Sequence, residues 1–256
     1  MQKVLVYDGS FEGFLSTVFK VYEEKLVQVD IQREGNVQSS FFGDMEEVIT
    51  NKAHADRVWN GLRKKLTSHG RNQLYYSFLS EMSSVENLLL DYVQQVFANT
   101  ENIEKDFSNE TVLKLSKITK SVGREKHRME AFVRFKLTKD GLYFANVSPD
   151  FNVLPLIAKH FKSRYADQKW VIYDIQRKYG LHYNLEHVET IVMDFPKEFD
   201  FTKTSGDFFA EEELEFQELW QNYFKSTNIE SRKNMLLHVR HVPKRYWKYL
   251  SEKQPF

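Results

Sequence analysis

The chain has 256 residues, and its 36 Lys and Arg residues balance 36 Asp and Glu residues, so the formal net charge is zero. This balance excludes a uniformly basic protein of the kind that coats nucleic acid. The sequence contains no cysteine, which excludes disulfides, thiolate zinc sites, cysteine nucleophiles and iron–sulfur ligation by this chain. Hydrophobic residues make up 41% of the sequence against only 10 Gly and 5 Pro, a composition that predicts a folded protein.

The first half of the sequence predicts one short strand followed by helices. Residues 3–7 have the pattern of a strand, and an Asp-Gly turn precedes Ser10, a residue type that often caps a helix N terminus. Apolar residues then recur every three or four positions over 11–26, which predicts an amphipathic helix. Further helices are predicted at 52–66, 71–81 and 85–97. The strand at 3–7 therefore needs partners from elsewhere in the chain.

The second half alternates strands and helices after a polar connection at 99–110. An Asp-Gly pair at 140–141 is typical of a hairpin turn between two strands. The predicted elements are a helix at 111–126, strands at 131–137 and 142–147, a helix from about 155 to 165, strands at 170–175 and 181–193, and a helix at 208–224. This order predicts an α+β fold, with a helical N-terminal part and a mixed or antiparallel sheet of β-β-α-β-β order. Two lobes are possible, at 1–105 and 106–256, the second with a basic C-terminal tail.

Sequence motifs that mark the commonest catalytic and cofactor sites are absent. The sequence has no phosphate-binding loop, no dinucleotide-binding glycine motif, no nucleophile elbow and no His-Glu-x-x-His zinc motif. His238 and His241 would face the same side of a helix, but no carboxylate at metal-ligand spacing accompanies them. We therefore predict neither a metal nor another cofactor.

Two segments of this balanced chain are strongly basic, and the first covers residues 114–128. Its only acid is Glu125. Its cations recur at spacings of three and four residues, which places most of them on one helix face. This face is either an ordinary solvated surface or a phosphate-binding surface. The candidate nucleic-acid-binding residues here are Lys114, Lys117, Lys120, Arg124 and Arg128.

The second basic segment, residues 232–248, contains no acid and interleaves cations with aromatic rings. Such a mixture suits single-stranded nucleic acid, because cations contact phosphates while rings stack on bases. The alternative is that Trp247 packs in the core. An acidic block at 207–218 is predicted to face solvent, another part of the chain or a basic partner. The candidate binding residues of the second segment are Arg240, Lys244, Arg245 and Trp247.

Four polar residues between positions 160 and 180 are candidates for a shared site. His160 and Arg164 are one helical turn apart, whereas Asp174 and Arg177 flank the end of a predicted strand. His160 or Asp174 is a candidate catalytic residue for proton transfer. The alternative is structural, with a half-buried His160 imidazole and an ion pair between Asp174 and Arg177.

Four sequence blocks resemble a known bacterial family. They are YDGSFEGFLSTVF near the N terminus, RMEAFVRF at 128–135, the run at 152–180 and PKRYWKYLSE near the C terminus. Together they resemble the "probable DNA metabolism protein" family, a domain of formally unknown function that would cover the whole chain, 1–256, as a single domain. The resemblance implies DNA as the substrate class. Family members are encoded beside a putative DNA modification or repair radical SAM protein, and a similar domain is fused elsewhere to uracil-DNA-glycosylase-like domains.

The favoured function is a DNA-binding accessory protein of a DNA repair or modification system. It would hold single-stranded or damaged DNA for a radical SAM iron–sulfur partner, since this chain lacks the cysteines for that chemistry. A cytoplasmic location without membrane contact is expected, because no apolar run approaches the roughly 18 residues of a membrane span and no signal peptide is recognisable.

Two alternative functions remain open at the level of sequence. One is an enzyme that acts on a nucleobase or a glycosidic bond, with Asp174 or His160 transferring protons. The other is a protein–protein adaptor that uses the acidic helix near Glu211 and makes no DNA contact. In the enzyme, phosphate would be held by Arg128, Arg134, Arg164 or Arg177.

Overall fold

The computed structural model describes residues 3–35, 44–195, 208–210 and 235–253, together with residues 212, 213, 215, 216 and 219. The chain divides into two compact units, residues 1–123 and 124–256. Helices dominate the first unit and a five-stranded mixed sheet forms the second, so the predicted α+β class is confirmed. The predicted lobe boundary and the single-domain extent stay predictions. No helix among the described residues is long and apolar enough to cross a membrane.

Unit 1 contains a three-stranded parallel sheet with strand order β2-β1-β3. The central strand carries apolar residues on both faces, as a strand covered on both sides requires, and Leu5 is fully buried. The elements are β1 (Lys3–Tyr7), α1 (Phe11–Glu23), β2 (Val29–Arg33), β3 (Asp44–Glu47), α2 (Lys52–Lys65), α3 (Ser68–Phe78), α4 (Val85–Ala98) and α5 (Glu110–Phe132), the last of which continues into unit 2.

Strands β2 and β3 supply the partners that β1 lacked in the sequence prediction, which contained neither of them. Both are edge strands, and their sequences VDIQR and DMEE carry charges rather than an apolar run. An edge strand needs only one covered face, so its hydrophobic signal is weak. Strands β2 and β3 were not predicted from the sequence because their composition is polar.

The helix ends of unit 1 follow local capping. The Ser10 side chain accepts a hydrogen bond from the Gly13 amide at the start of α1, as its sequence predicted. Helix α1 stops before the predicted position 26, because Lys25 adopts the left-handed region with φ of 54°. Helix α3 begins earlier than predicted, since the Thr67 hydroxyl accepts from the His69 amide.

Unit 2 is built on a mixed sheet with strand order β4-β5-β6-β7-β8. Strands β5 and β6 are parallel neighbours, and every other pair is antiparallel. The elements are β4 (Lys136–Leu137), β5 (Tyr143–Val147), α6 (Leu154–Arg164), β6 (Trp170–Asp174), β7 (Tyr179–Tyr183), β8 (Val188–Ile191), α7 (Met235–His241) and two 3₁₀ helices, Lys244–Tyr249 and Ser251–Lys253.

The end of helix α5 and the extent of the last predicted strand differ from the sequence prediction. Helix α5 extends past residue 126 to Phe132, because Val122 and Met129 continue its buried stripe and take up part of the predicted strand at 131–137. The predicted strand at 181–193 is two strands, since the Asn184 side chain accepts from the amides of residues 186 and 187 and makes a turn.

The predicted helix at 208–224 begins later than expected. Phe209 pairs with Thr138 in an isolated antiparallel bridge, so the start of the predicted helix is extended. The residues described between 212 and 219 are helical. The other positions of the predicted helix after 210 lie outside the described residues, as do Asp207, Glu211 and Glu218 of the acidic block.

Candidate functional site

The parallel pair of β5 and β6 creates the candidate site in unit 2. Val147 at the end of β5 lies opposite Asp174 at the end of β6. The loop at 148–153 leaves β5 at this edge and leads into α6. Because the carboxyl ends of parallel strands and the loops beyond them are where such sheets bind ligands, this edge is the first place to look for a functional site.

Asp174 is fully buried and is held by the turn that follows it. Its carboxylate accepts from Arg177 Nη1 at 2.9 Å and from the amide of Gln176 at 2.9 Å. Burial raises the pKa of Asp174 above its usual range, and the hydrogen bonds from Arg177 act in the opposite direction. Arg177 also donates to the carbonyls of Pro149 and Asp150 at 3.1 and 3.3 Å. The Asp174–Arg177 ion pair, predicted as the structural alternative, is present and it anchors the loop.

A second buried carboxylate, Glu125 of α5, receives donors from several segments of unit 2. Its side chain is 1% exposed, and it accepts from the Tyr246 hydroxyl and from the Asp150 amide, the latter at 2.9 Å. Arg128 and Arg245 lie 3.4 and 3.3 Å from it. Arg245 also contacts the Asp150 carboxylate at 2.5 Å and the Tyr246 hydroxyl at 2.6 Å.

The two carboxylate centres form one continuous network, which we call the unit 2 network. Asp150 joins them, because Arg177 binds its carbonyl while Glu125 and Arg245 bind its amide and carboxylate. Burial and the hydrogen bond to Glu125 raise the pKa of Tyr246, so its phenol stays a neutral donor. The carboxylates Glu125, Asp150 and Asp174 balance the guanidinium groups of Arg128, Arg177 and Arg245.

The comparisons with known proteins place this network inside a family domain. A family model described as a domain of unknown function, DUF4130, matches residues 83–252. The chain belongs to the DUF4130 family. No curated protein matches the chain. A solved structure titled pGpG-specific phosphodiesterase PggH, from Vibrio cholerae, is similar with a TM-score of 0.35 and 12% identity over 71% of this chain and 80% of that chain. A similarity of this degree does not establish a shared activity.

Every residue of the unit 2 network falls within the DUF4130 match. The network contains Arg128, Arg177 and Arg245 as ion-pair partners of its carboxylates. All three were predicted from the sequence as candidate nucleic-acid contacts. Arg134, another candidate, pairs with Glu252 at 2.8 Å. These four guanidinium groups are therefore already bound to carboxylates of the DUF4130 domain, and they are poor candidates for contacts that need an uncommitted positive charge.

The aromatic residues of the C-terminal tail differ in burial. Tyr246 is buried, and Trp247 is half-buried with its indole nitrogen donating to the Val242 carbonyl at 3.0 Å. The Trp247 indole therefore has a contact within the tail itself, and the choice between core packing and base stacking for its ring stays a prediction. Arg240 and Lys244 are exposed, and no carboxylate among the described residues of the DUF4130 domain pairs with either.

The predicted basic face of α5 is exposed. We call it the α5 basic face and define it as Lys114, Lys117, Lys120 and Arg124, all of which are exposed. Lys114 pairs with Glu110 at 2.6 Å. Neither Lys117 nor Lys120 has an ion-pair partner in the part of the chain that the structure describes. These two lysines lie in the DUF4130 domain with their charge available for another molecule.

The four polar residues predicted between 160 and 180 do not all come together. His160 is 36% exposed and lies 3.9 Å from Glu130, while Arg164 is exposed with its guanidinium 5.8 Å from the centre of the Tyr165 ring. Within the described residues, His160 shares no hydrogen bond with Asp174. Proton transfer by His160 or by Asp174 stays a prediction.

No group of His, Asp or Glu among the described residues is arranged to hold a metal ion. The side chain of His238 lies outside the described residues, so the His238–His241 pair is not described. Glu125 and Asp150 were not among the site residues predicted from the sequence. A signal for Glu125 was available, because it lies three residues after Val122 and four before Met129, on the buried stripe of α5.

Proposed function

We propose that this DUF4130 protein is a DNA-binding accessory protein that contacts backbone phosphates through the α5 basic face. The observation that carries the proposal is the exposure of Lys117 and Lys120 without an ion-pair partner among the described residues. Lysines of this kind can replace the condensed counterions of DNA at little cost, because no internal interaction has to break.

The unit 2 network supports this choice of surface by exclusion. If Arg177 bound a phosphate, Asp174 would remain as a buried carboxylate without its ion-pair partner. Breaking a buried ion pair in this way typically costs about 3–5 kcal/mol, more than a single phosphate contact returns. The network is therefore better suited to hold the 148–153 loop, α5 and the C-terminal tail of unit 2 together than to bind DNA.

The resemblance to the DNA metabolism family supports DNA as the nucleic acid. It also supports a radical SAM iron–sulfur protein as the partner, in a scheme where the partner performs the radical chemistry and this chain holds a single-stranded or damaged site. The absence of cysteine from the chain fits that division, because the cluster must then be held by the partner. Repair or modification of DNA is the process in which we place the pair.

The proposal predicts how binding responds to salt. Replacing Lys117 and Lys120 together by Ala should weaken binding to single-stranded, duplex and damaged DNA to a similar extent. The slope of log K against log salt should fall by about 0.7–0.9 for each phosphate that the variant no longer neutralises. Fluorescence anisotropy across a salt series measures both quantities.

A matched control uses Lys159 and Lys169, which are exposed and have no ion-pair partner among the described residues. The Lys159→Ala/Lys169→Ala variant makes the same change in net charge and should leave the salt slope as it is in the wild type. If the Lys117/Lys120 variant keeps the wild-type affinity and slope, the α5 basic face does not bind DNA. Exposed Arg240 and Lys244 would then be the next surface to test.

A further inference from the structure

A cavity of about 340 Å³ opens among the helices of unit 1. It is lined by side chains of α1, α2 and α3. Neither the unit 2 network nor the α5 basic face contributes a residue to it. Its size is at the lower end of the range for small-molecule sites, which suits one aromatic heterocycle rather than a large cofactor.

Three aromatic rings line the cavity and hold one another in place. Phe11 packs edge-on against Trp59, with ring centroids 5.6 Å apart, and edge-on against Tyr75, with centroids 5.1 Å apart. Trp59 and Tyr75 are each half-buried, so part of each ring remains accessible to a ligand. Fixed flat surfaces of this kind favour a planar ligand, because stacking on them orders few additional side chains.

Two of the charged residues that line the cavity are already engaged with the protein. Asp56 pairs with Lys52 at 2.9 Å. Arg71 donates to the Leu66 carbonyl at 2.9 Å and to the Ser68 hydroxyl at 3.0 Å. Because Asp56 and Arg71 have these partners, we assign recognition to the other polar groups of the cavity.

The remaining polar side chains of the cavity have no hydrogen-bond partner among the described residues. They are the Glu12 carboxylate, the Asn72 amide and the Tyr75 hydroxyl. Glu12 and Tyr75 line the same cavity, and burial together with the negative charge of Glu12 raises the pKa of the Tyr75 phenol. The cavity therefore combines an unpaired carboxylate with flat aromatic surfaces.

A carboxylate accepts hydrogen bonds only, and its two oxygens can accept from two adjacent donors. Among the nucleobases, guanine presents such a pair on its Watson–Crick edge, the ring N1–H and the 2-amino group. Adenine and cytosine carry a ring nitrogen acceptor beside the amino group. The lone pair of that nitrogen would face the carboxylate and be repelled by its negative charge. Recognition of a base through its Watson–Crick edge, with aromatic side chains against its faces, is also how proteins hold an unstacked nucleotide.

We infer that the cavity binds a guanine base, stacked against Trp59 or Tyr75, with N1–H and the 2-amino group donated to Glu12. The Asn72 amide is available to donate to an acceptor of the same base. Guanine reaches such a site either as a free nucleotide or as an unstacked base of single-stranded DNA. The inference does not rest on the proposed function, because Lys117 and Lys120 do not line the cavity.

Titration of the full chain with guanosine, inosine and adenosine monophosphates tests the inference without any variant. Inosine lacks the 2-amino group, so it should bind about tenfold to a hundredfold more weakly than the guanosine nucleotide, as expected for a lost hydrogen bond to a charged acceptor. A parallel titration uses oligothymidylate with and without one central dG. Preference for the mononucleotide assigns a free ligand, and preference for the dG oligonucleotide assigns a DNA base. Isothermal titration calorimetry measures each affinity.

The variant Glu12→Gln should remove the preference for guanine over hypoxanthine. The matched control is Glu23→Gln, an exposed carboxylate at the other end of α1 without a partner among the described residues, which should bind as the wild type does. Equal binding of the guanine and hypoxanthine ligands by the wild type, or an unchanged preference in Glu12→Gln, would overturn the inference. Loss of oligonucleotide binding in the Lys117/Lys120 variant bears only on the α5 basic face, so the two proposals fail separately.

Discussion

The two units each bury a glutamate between an arginine and a tyrosine, but they expose the arginine differently. In unit 1, Glu86 accepts from Arg33 and, at 3.1 Å, from the Tyr7 hydroxyl. In unit 2, Glu125 accepts from Tyr246 and lies 3.3 Å from Arg245. Burial raises the pKa of both phenols, so both tyrosines are neutral donors to a carboxylate.

The difference lies in how much of each cation remains in water. The Arg33 side chain is 13% exposed and Glu86 is 7% exposed, whereas Arg245 is 44% exposed beside a Glu125 that is 1% exposed. Glu125 also keeps the Asp150 amide and Arg128 as donors. The same three residue types therefore make a largely buried ion pair in unit 1, and in unit 2 an ion pair with a half-exposed cation and further donors to the carboxylate.

Removing the two arginines should show this difference most strongly. Arg33→Ala leaves Glu86 with the Tyr7 hydroxyl but without its cation, and we expect a loss of about 3–5 kcal/mol in the free energy of unfolding. Arg245→Ala leaves Glu125 with its other donors, and we expect a loss of about 1–2 kcal/mol. Urea unfolding followed by circular dichroism measures both losses.

Arg63→Ala is the matched control, since Arg63 is exposed on α2 and has no partner among the described residues. Its loss should stay within about 0.5 kcal/mol of zero. Equal losses for Arg33→Ala and Arg245→Ala would show that exposure of the cation does not separate the two units.

Removing the two tyrosine hydroxyls should cost less than removing Arg33. Tyr7→Phe deletes one hydrogen bond to a buried carboxylate that keeps its arginine. Tyr246→Phe deletes the equivalent bond to Glu125 and also the acceptor of the Arg245 hydrogen bond. We expect each to lower the free energy of unfolding by about 1–2 kcal/mol, with Tyr246→Phe at the upper end of this range. A loss of more than twice this size in only one of them would mean that the ring of that tyrosine, rather than its hydroxyl, had been disturbed. The same unfolding experiments decide this.

A smaller effect is expected in the pH dependence of stability, which should differ in sign between Glu104 of unit 1 and Asp174 of unit 2. In unit 1, burial tends to raise the pKa of Glu104, but hydrogen bonds from the Thr67 hydroxyl and amide outweigh burial and lower it. Its contribution is therefore present above the unfolded pKa and lost as pH falls through the folded one. In unit 2, burial raises the pKa of Asp174, so its contribution is lost as pH rises through the raised value.

Stability measured from pH 3 to 7 should reveal these opposite signs. The difference between wild type and Glu104→Gln should shrink as pH falls, whereas the difference between wild type and Asp174→Asn should shrink as pH rises. Parallel pH profiles for the two variants would contradict the opposite pKa directions.

The sequence predicted correctly those elements whose buried residues form a regular pattern of apolar positions. Helix α1, the strand at Lys3–Tyr7 and the strand at Trp170–Asp174 all carry such a signal, and the structure contains them. Strands β2 and β3 were missed because edge strands bury little. The end of α5 was missed because β-branched and aromatic residues after 131 favour a strand locally, while packing of the helix decides the outcome.

The candidate site was harder to predict than the fold. The Asp174–Arg177 pair was predictable, since its members are three residues apart at a strand end. The contact between Glu125 and Tyr246 joins residues 121 positions apart, and no local pattern encodes such a pairing. The sequence therefore identified the cations, but it did not identify the carboxylates that form ion pairs with several of them.

The distance along the chain between Glu125 and Tyr246 also bears on how the protein is made. On the ribosome, the Tyr7–Glu86 hydrogen bond, which spans 79 positions, can form once the first unit has emerged. Glu125 must wait for Tyr246, near the C terminus, before its phenol donor exists. During that interval the nascent second unit carries an acidic group that its finished form buries, so translation arrest or truncation before residue 246 would leave the unit incomplete and exposed to proteases.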